Sequence, residues 1–414
     1  MKRHGVMSLV VMSLLALGFQ QNASAALCTG TDAEIMQCLN EKLEYVEITT
    51  DDGGNPLILI EAANVQIVDD ASSHSTSGTT GNLIIGYGND WTTNDTANSF
   101  ISGYLNTIAG YDNVLVGGYQ NTITSTYYAA AVGGRGNTVS YSTAAAFGGS
   151  YNEASDSHAV TVGGQYSDAS GFNSTVCGAY RGDASGTYAT VSGGMLNTAS
   201  SLGSTAVGGY YNVSSGQYST ALGGGSSTEA YGNNATGNYS VALGGSDNTA
   251  SGEKSVTSGG YQNVSAYELS SISGGYSNQT GSMYSTVSGG YNNTAGNASN
   301  AANTKYASVS GGYGNYAYGK YSSVSGGRGN HAYADFGAVS GGYANTAGDS
   351  AYPYDTRYST VSGGNSSTAA GHSAVVSGGY NNSSTGTYST VSGGENRSVT
   401  GWSDWRAGSL FETN

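Results

Sequence analysis

Charge is what this sequence has least of. Only 9% of its 414 residues are charged, 12 are Lys or Arg, and the formal net charge is −15. No basic patch is present to neutralise phosphates, which argues against nucleic acid as a partner. The same lack argues against charge-driven binding to an anionic membrane. Leu, Ile, Val and Phe are also sparse, a composition that often accompanies disorder. Disorder normally comes with high charge, however, and that is missing too. Proline is nearly absent, at 2 residues. Beyond the N-terminal segment no run approaches the ~20 apolar residues of a membrane-spanning helix.

The residues of catalysis and metal binding are equally thin. His74, His158, His331 and His372 are isolated, and the acids are scattered without the paired spacing that acid–base chemistry needs. The glycine pairs lack the regular Asp of calcium-binding nonapeptide arrays and the Lys-Ser/Thr ending of a phosphate loop. The 3 cysteines show no zinc-ligand spacing. Cys28 and Cys38 are close enough in sequence for a disulfide in an oxidising compartment, the alternative being two free thiols. Cys177 stands where other units have Ser192 or Ser392 and reads as a small buried side chain. The expectation is a non-enzyme without cofactor or metal.

What is present begins with an export signal. Lys2 and Arg3 precede the apolar stretch from Val6 to Leu17, and Ala23-Ser24-Ala25 is a small-x-small cleavage site, which makes residues 1–25 a signal peptide. Its removal takes the charge to −17 by loss of Lys2 and Arg3. Residues 26–80 read as a helix, short strands and a polar linker. Met36, Leu39, Leu43 and Val46 recur at gaps of three and four over Asp32–Glu47, and Thr31 with Glu34 forms a capping box. This helix is either a short coiled-coil seam or an amphipathic helix packed on its own chain. Leu57–Ile60 and Val65–Val68 read as strands, and 71–80 as a Ser/Thr linker.

Residues 81–400 are a repeat array. Glycine, at 67 residues, falls largely in Gly-Gly pairs that recur at a dominant step of 15, as in Tyr188-Ala-Thr-Val-Ser-Gly-Gly-Met-Leu-Asn-Thr-Ala-Ser-Ser-Leu202. Each unit reads as two short strands, Thr-Val-Ser and Asn-Thr-Ala, joined by glycine bends. The recurring Asn121, Asn137, Asn197, Asn212, Asn263, Asn293, Asn345 and Asn382 suit a turn position with positive φ. Stacking at about 4.8 Å per turn would make some 21 turns into a rod of roughly 100 Å. In early units the large apolar residue directly precedes Gly-Gly (Val132, Phe147, Val162, Val207, Leu222, Leu243). In most later units it lies one residue earlier (Val191, Ile272, Val287, Val309, Val324, Val361, Val391). Adjacent strand residues face opposite sides, so the switch suggests that one face lines the coil and the other meets a partner chain.

Ser240-Val-Ala-Leu-Gly-Gly245 and Ser204-Thr-Ala-Val-Gly-Gly209 resemble the head domains of trimeric autotransporter adhesins, the YadA-like left-handed β-roll. The resemblance covers about residues 81–408. It implies an all-β, left-handed parallel β-roll, a homotrimer, and a role in adhesion or surface display.

Several features stand out as candidate contacts. Three steps are longer, 223 to 244, 289 to 311 and 341 to 363, and their extra residues must project as loops, where function concentrates. The third holds the only proline of the array, and Asp349, Tyr352, Pro353, Tyr354, Asp355 and Arg357 form either a ligand contact or a tolerated insertion. Two tyrosine series, one through Tyr188, Tyr218, Tyr239 and Tyr284 and one through Tyr261, Tyr276, Tyr291 and Tyr313, read as stabilising stacks or as an aromatic strip for glycans or proteins. Arg181-Gly182-Asp183 has the form of an integrin-type tripeptide but replaces the usual Asn-Thr turn. In residues 401–414, Trp402, Trp405, Leu410 and Phe411 form either a cap over the last turn or a docking patch. The function expected is an exported, adhesin-like rod that binds glycans or proteins multivalently. The alternatives are a structural spacer or fibre component, and an ice-binding protein.

Overall fold

The computed structural model describes residues 46–50, 56–60, 83–87, 89–90, 96, 98–125, 127–225, 231–408 and 410–412. The signal segment, Cys28, Cys38, His74, Trp91 and the strand read at 65–68 lie outside these. The chain divides into two units, residues 1–67 and 68–414. In the first, Val46–Thr50 pairs antiparallel with Pro56–Ile60, Val46 opposite Ile60 and Thr50 opposite Pro56. The helix read over Asp32–Glu47 falls outside the described residues except for Val46 and Glu47, which are strand. The β-branched run Val46, Ile48, Thr49 and Thr50 favours a pleated strand once Ile58 and Ile60 are available as partners.

The second unit is an all-β parallel solenoid of about 21 turns with a rung of about 15 residues. After two five-residue leading strands, Leu83–Tyr87 and Phe100–Tyr104, each turn contributes a leading strand of two or three residues and a trailing strand of two, such as Thr190–Ser192 and Thr198–Ala199. Leading strands pair only with leading strands and trailing with trailing, parallel and in register: Thr175 lies beside Thr190, and Thr190 beside Thr205. The longer steps do not disturb this register, since Val213 pairs with Asn234, Thr286 with Ser308 and Ala338 with Thr360. The extra residues of the second and third longer steps therefore leave the coil as loops.

The interior is narrow. Each leading strand turns one residue inward (Val191, Ile272, Val287, Val324) and each trailing strand another, a large one in the first turns (Ile108, Ile123, Val139) and in most later turns a small one (Ala199, Ala250, Ala317, Ala332), all essentially inaccessible. Over most of the later array the thin coil thus sets one branched residue against an alanine. The early units place Ala131, Ala146, Ala206 and Ala221 inward and turn Val132, Phe147, Val207 and Leu222 outward, as the sequence pattern required. Cys177 lies at the same outward position and is exposed, a correction to its reading as buried: the inward side of that strand belongs to Val176.

Between residues 244 and 259 the turn geometry changes. Up to Gly244 both glycines of a pair have φ of 56 to 80°, whereas at Gly259, Gly274 and Gly289 the first glycine opens to 154–157°. The leading strands shorten from three residues to two at the same place. Val191-Ser192 has the later sequence pattern but keeps the early geometry. One turn cannot depart alone, because its backbone bonds are shared with the turns above and below.

The recurring asparagines do not occupy the positive-φ position. That place belongs to the preceding residue: Gln120 (54°), Leu196 (57°), Gln262 (55°), Asn292 (54°) and Asn381 (50°). The asparagines themselves are fully buried and form a ladder. Asn278 Oδ1 accepts the backbone N–H of Asn293 at 3.0 Å, while its Nδ2 donates to the carbonyls of Gly274 and Gly290, both at 3.0 Å. Asn263 stands in the same relation to Asn278, and Asn315 to Asn330. The ladder satisfies backbone groups that the glycine bends withdraw from the sheets.

The tyrosine series stack in segments, the one through Tyr188, Tyr218, Tyr239 and Tyr284 being interrupted by Gly203, Lys254 and Leu269. Tyr261, Tyr276, Tyr291 and Tyr313 follow one another at centroid distances of 5.2, 4.8 and 5.0 Å. Tyr284, Tyr306, Tyr321, Phe336 and Tyr358 form the second stack, at 4.7 to 5.0 Å. At the C-terminal end, Leu410–Glu412 pairs antiparallel with Trp405–Ala407, which ends the parallel stack. Trp402 is 67% exposed and continues the second aromatic series edge-on to Tyr388.

The acids read as scattered are partly stacked. Glu153, Asp168 and Asp183 lie side by side in three successive trailing strands. Burial first, then the charges of Glu153 and Asp183, push the Asp168 carboxyl up to about 6. The folded state thus holds a proton there that the unfolded chain, with an ordinary carboxyl near 3.9, releases. The associated stability is complete below about pH 4 and is lost as the pH rises through 6. Asp168→Asn is therefore expected to raise stability at pH 7 by on the order of 1 kcal/mol and to flatten the pH dependence between 4 and 6, as read from denaturant melts across that range.

Candidate binding cleft

The second and third insertions both belong to 22-residue steps and leave the coil at the same point, after Thr294-Ala295-Gly296 and Thr346-Ala347-Gly348. They also fold alike. In one, the Asn297 N–H donates to Thr304 Oγ1 and the Ser299 N–H to Asn297 Oδ1, both at 3.0 Å. In the other, the Asp349 N–H donates to Thr356 Oγ1 at 3.1 Å and the Ala351 N–H to Asp349 Oδ1 at 2.8 Å. Thr304 and Thr356, each seven residues further on, are buried and close the loops through their hydroxyls.

Two turns separate the loops, and they differ from the rest of the array. Their trailing strands read Tyr316-Ala317-Tyr318 and His331-Ala332-Tyr333, whereas every other turn from residue 103 onward has non-aromatic residues at these places. Tyr316 stacks on His331 at 4.9 Å, and Tyr318 lies 5.9 Å from Tyr333 with the rings tilted by 58°. The Tyr333 hydroxyl is 2.7 Å from His331 Nδ1. His331 is therefore not isolated, as the sequence suggested. Burial lowers its pKa, leaving a ring that is neutral near pH 7 and able to accept a hydrogen bond from the Tyr333 hydroxyl. Burial, with Tyr316 and Tyr333 adding, pushes the Tyr318 hydroxyl up to about 12, and burial also raises Tyr333. The Tyr318 and Tyr333 hydroxyls and the His331 ring are therefore uncharged near pH 7.

Loops and floor enclose two adjoining cavities. The first, of about 240 Å³, is lined by Asn297, Asn300 and Asn303 of one loop, Pro353 and Tyr354 of the other, and Tyr318, Tyr333 and Asp335 between them. The second, of about 530 Å³, shares Asn303, Asp335 and Tyr354 and adds Lys305, Lys320, Arg357 and the edge of the Tyr306–Tyr321–Phe336 stack. Asp335 is buried where they meet. Its Oδ1 accepts the Lys320 backbone N–H at 2.9 Å, and its Oδ2 lies 3.9 Å from Arg357 Nε, an ion pair too long for a hydrogen bond. The Arg357 guanidinium also sits 5.3 Å from the centre of the Tyr354 ring.

Of the six residues singled out in the third loop, Pro353, Tyr354 and Arg357 line the cleft. Asp349 holds the loop together, and Tyr352, at 63% exposure, and Asp355 point to solvent without lining either cavity. The opposite wall and the floor escaped the sequence reading. Two signals could have found them: the equal 22-residue steps with a shared Asn/Asp-x6-Thr spacing, and the aromatic pairs confined to the two turns between. Arg181-Gly182-Asp183 is built into the coil: Gly182 takes the place of a ladder asparagine, Asp183 joins the acid stack, and Arg181 lies over Tyr166 and Tyr180. Among the described residues no group of His, Cys, Asp and Glu is arranged to hold a metal ion, and no helix is long and apolar enough to cross a membrane. No protein-family model matches this chain, and no curated protein matches it.

Proposed function

We propose that this protein is an exported, non-catalytic, adhesin-like binding rod in which the coil is scaffold and the paired insertions carry the contact site. One observation carries the reading. Two loops of the same internal structure, placed at the same point of turns three apart, flank the two turns which, from residue 103 onward, have aromatic residues along their trailing strands. A spacer requires neither the loops nor the aromatics. The apolar N-terminal segment and its small-residue cleavage site support export to the cell surface or medium. If each 22-residue step is shortened to 15, circular dichroism is expected to stay β-rich while attachment of the protein to cells or matrix falls at least tenfold. Attachment that survives in the shortened chain would favour the spacer.

The rod works as a homotrimer in this reading. Val116, Val132, Phe147 and Val162 form a continuous outward strip on the leading strands, 37 to 42% exposed. A strip of this length on a soluble chain marks an association surface. It spans leading strands between residues 116 and 162, whereas the cleft is lined by residues 297–357, several turns further along the coil, so association through the strip leaves the cleft open. Light scattering is expected to give three times the chain mass for the native protein and a lower mass for Phe147→Ser/Val162→Ser. A monomeric native protein would remove the trimer.

A further inference from the structure

We propose, resting on the binding-rod reading above, that the cleft between the two insertions takes an acidic polysaccharide, with a neutral sugar in the asparagine-lined cavity and a carboxylated or sulfated sugar in the adjoining one. The charge distribution argues first. The chain carries −15 overall with only 12 cationic residues, yet three of them, Lys305, Lys320 and Arg357, line one cavity. They are not there by scatter. Lys305, Lys320, Asp335 and Arg357 occupy the same place in four successive turns, each just before the stacked aromatic. Asp335 offsets one of the three charges, which leaves the cavity net positive on a strongly negative chain. Asp355, the nearest other acid of the loop, faces solvent outside the cavity. An anion is the ligand such a spot selects, because it gathers three of the few cations on a chain whose net charge is −15.

The second cavity wall argues for a sugar rather than an acidic peptide. Side-chain amides of Asn297, Asn300 and Asn303 offer both donors and acceptors, matching the paired character of sugar hydroxyls. Tyr333 has His331 stacked on it, whereas Tyr318 is tilted by 66° from Tyr316 and 58° from Tyr333 and is stacked face to face on neither, which leaves its apolar ring surface for the C–H face of a pyranose. The Tyr318 hydroxyl stays protonated and can donate to the sugar, and the Tyr333 hydroxyl, whose proton is turned to His331, can accept from it. The cationic cavity, at about 530 Å³, falls in the size range of small-molecule sites. Because the two cavities share Asn303, Asp335 and Tyr354, one continuous chain can fill both.

The test uses the full chain and three probes: a hyaluronan oligosaccharide, a chondroitin sulfate oligosaccharide and dextran, with poly-glutamate as competitor. At least one acidic saccharide is expected to bind, more weakly as salt rises, and dextran is not. Lys305→Gln/Lys320→Gln leaves the Asp335–Arg357 pair intact and is expected to weaken binding roughly tenfold or more, and Asn300→Ala/Asn303→Ala severalfold. Equal binding of dextran, unchanged binding in both variants, or displacement by poly-glutamate at lower concentration than by the saccharide would each overturn the assignment. So would a native chain that binds neither acidic probe. If the loop-shortened protein still attaches to surfaces, the binding-rod reading fails. If only the shortened chain loses attachment and no acidic saccharide competes with it, the rod reading stands and the ligand class is wrong.

Discussion

Asn278→Ala is expected to open the coil locally and to lower stability by about 3 kcal/mol or more. The substitution leaves the buried Asn293 N–H without its acceptor and removes one donor each from the Gly274 and Gly290 carbonyls. An orphaned buried donor costs about 1–3 kcal/mol, and each further bond lost adds about 1. The side chain is fully buried, so water cannot substitute. Nature's own exceptions give a graded control. Ser167 and Ser367 stand at this place in other turns, and their hydroxyls still accept from the next turn, at 3.2 Å from the Gly182 N–H and 3.4 Å from the Asn382 N–H. Asn278→Ser should accordingly cost less than Asn278→Ala. In a stacked array the damage spreads from neighbour to neighbour. Amide exchange is therefore the right measurement: protection should fall first in the turns around 263–315, in the order native, Ser, Ala. An alanine variant within about 0.5 kcal/mol of the native chain would mean that the ladder contributes nothing.

Gly312→Ala is expected to be worse, while Gly311→Ala in the same turn is nearly silent. Gly312 sits at φ +90°, and a Cβ there would overlap the Gly327 carbonyl of the next turn and the Asn315 amide. Neither neighbour can retreat, because the carbonyl is held in the inter-turn backbone bonds and the amide belongs to the ladder. Gly311 has open space around its Cβ position and is outside the left-handed region. Strain at the backbone, added to the broken Asn315 bonds, puts the first substitution above about 3 kcal/mol and the second within about 1. Thermal melts of the two variants side by side decide it. Equal shifts would show that the bend, rather than the contact between turns, selects the second glycine.

The solenoid was legible because its signals are local and repeated. A 15-residue step, glycine pairs and alternating strand residues leave few other folds, and the outward shift of Val132, Phe147 and Val207 could be assigned to opposite strand faces before any coordinates. The asparagines were misplaced for an instructive reason. A turn next to a glycine bend favours Asn by local conformational preference, and the residue at positive φ is indeed one position away. What settles the matter is a contact with the turn above and the turn below, which no local propensity encodes. Cys177 failed in a similar way, since its burial depended on which neighbour, Val176 or Cys177, the coil turned inward.

The cleft shows the same limit at larger scale. The third loop could be singled out for its proline, tyrosines and charges, but two of those residues, Tyr352 and Asp355, face solvent, and the partners of Pro353, Tyr354 and Arg357 come from Asn297–Asn303 and from the turns carrying Tyr318 and Asp335. Composition and period alone determined the parallel stacking, the narrow core, the projecting loops and the scarcity of cations, because each follows from residue type and spacing along one turn. Only the tertiary structure decided that two insertions 52 residues apart along the chain stand three turns apart in space, with Lys305, Lys320 and Arg357 aligned between them. In-register stacking converts a distance along the sequence into a short distance along the coil, so residues far apart in the chain become the two walls of one site.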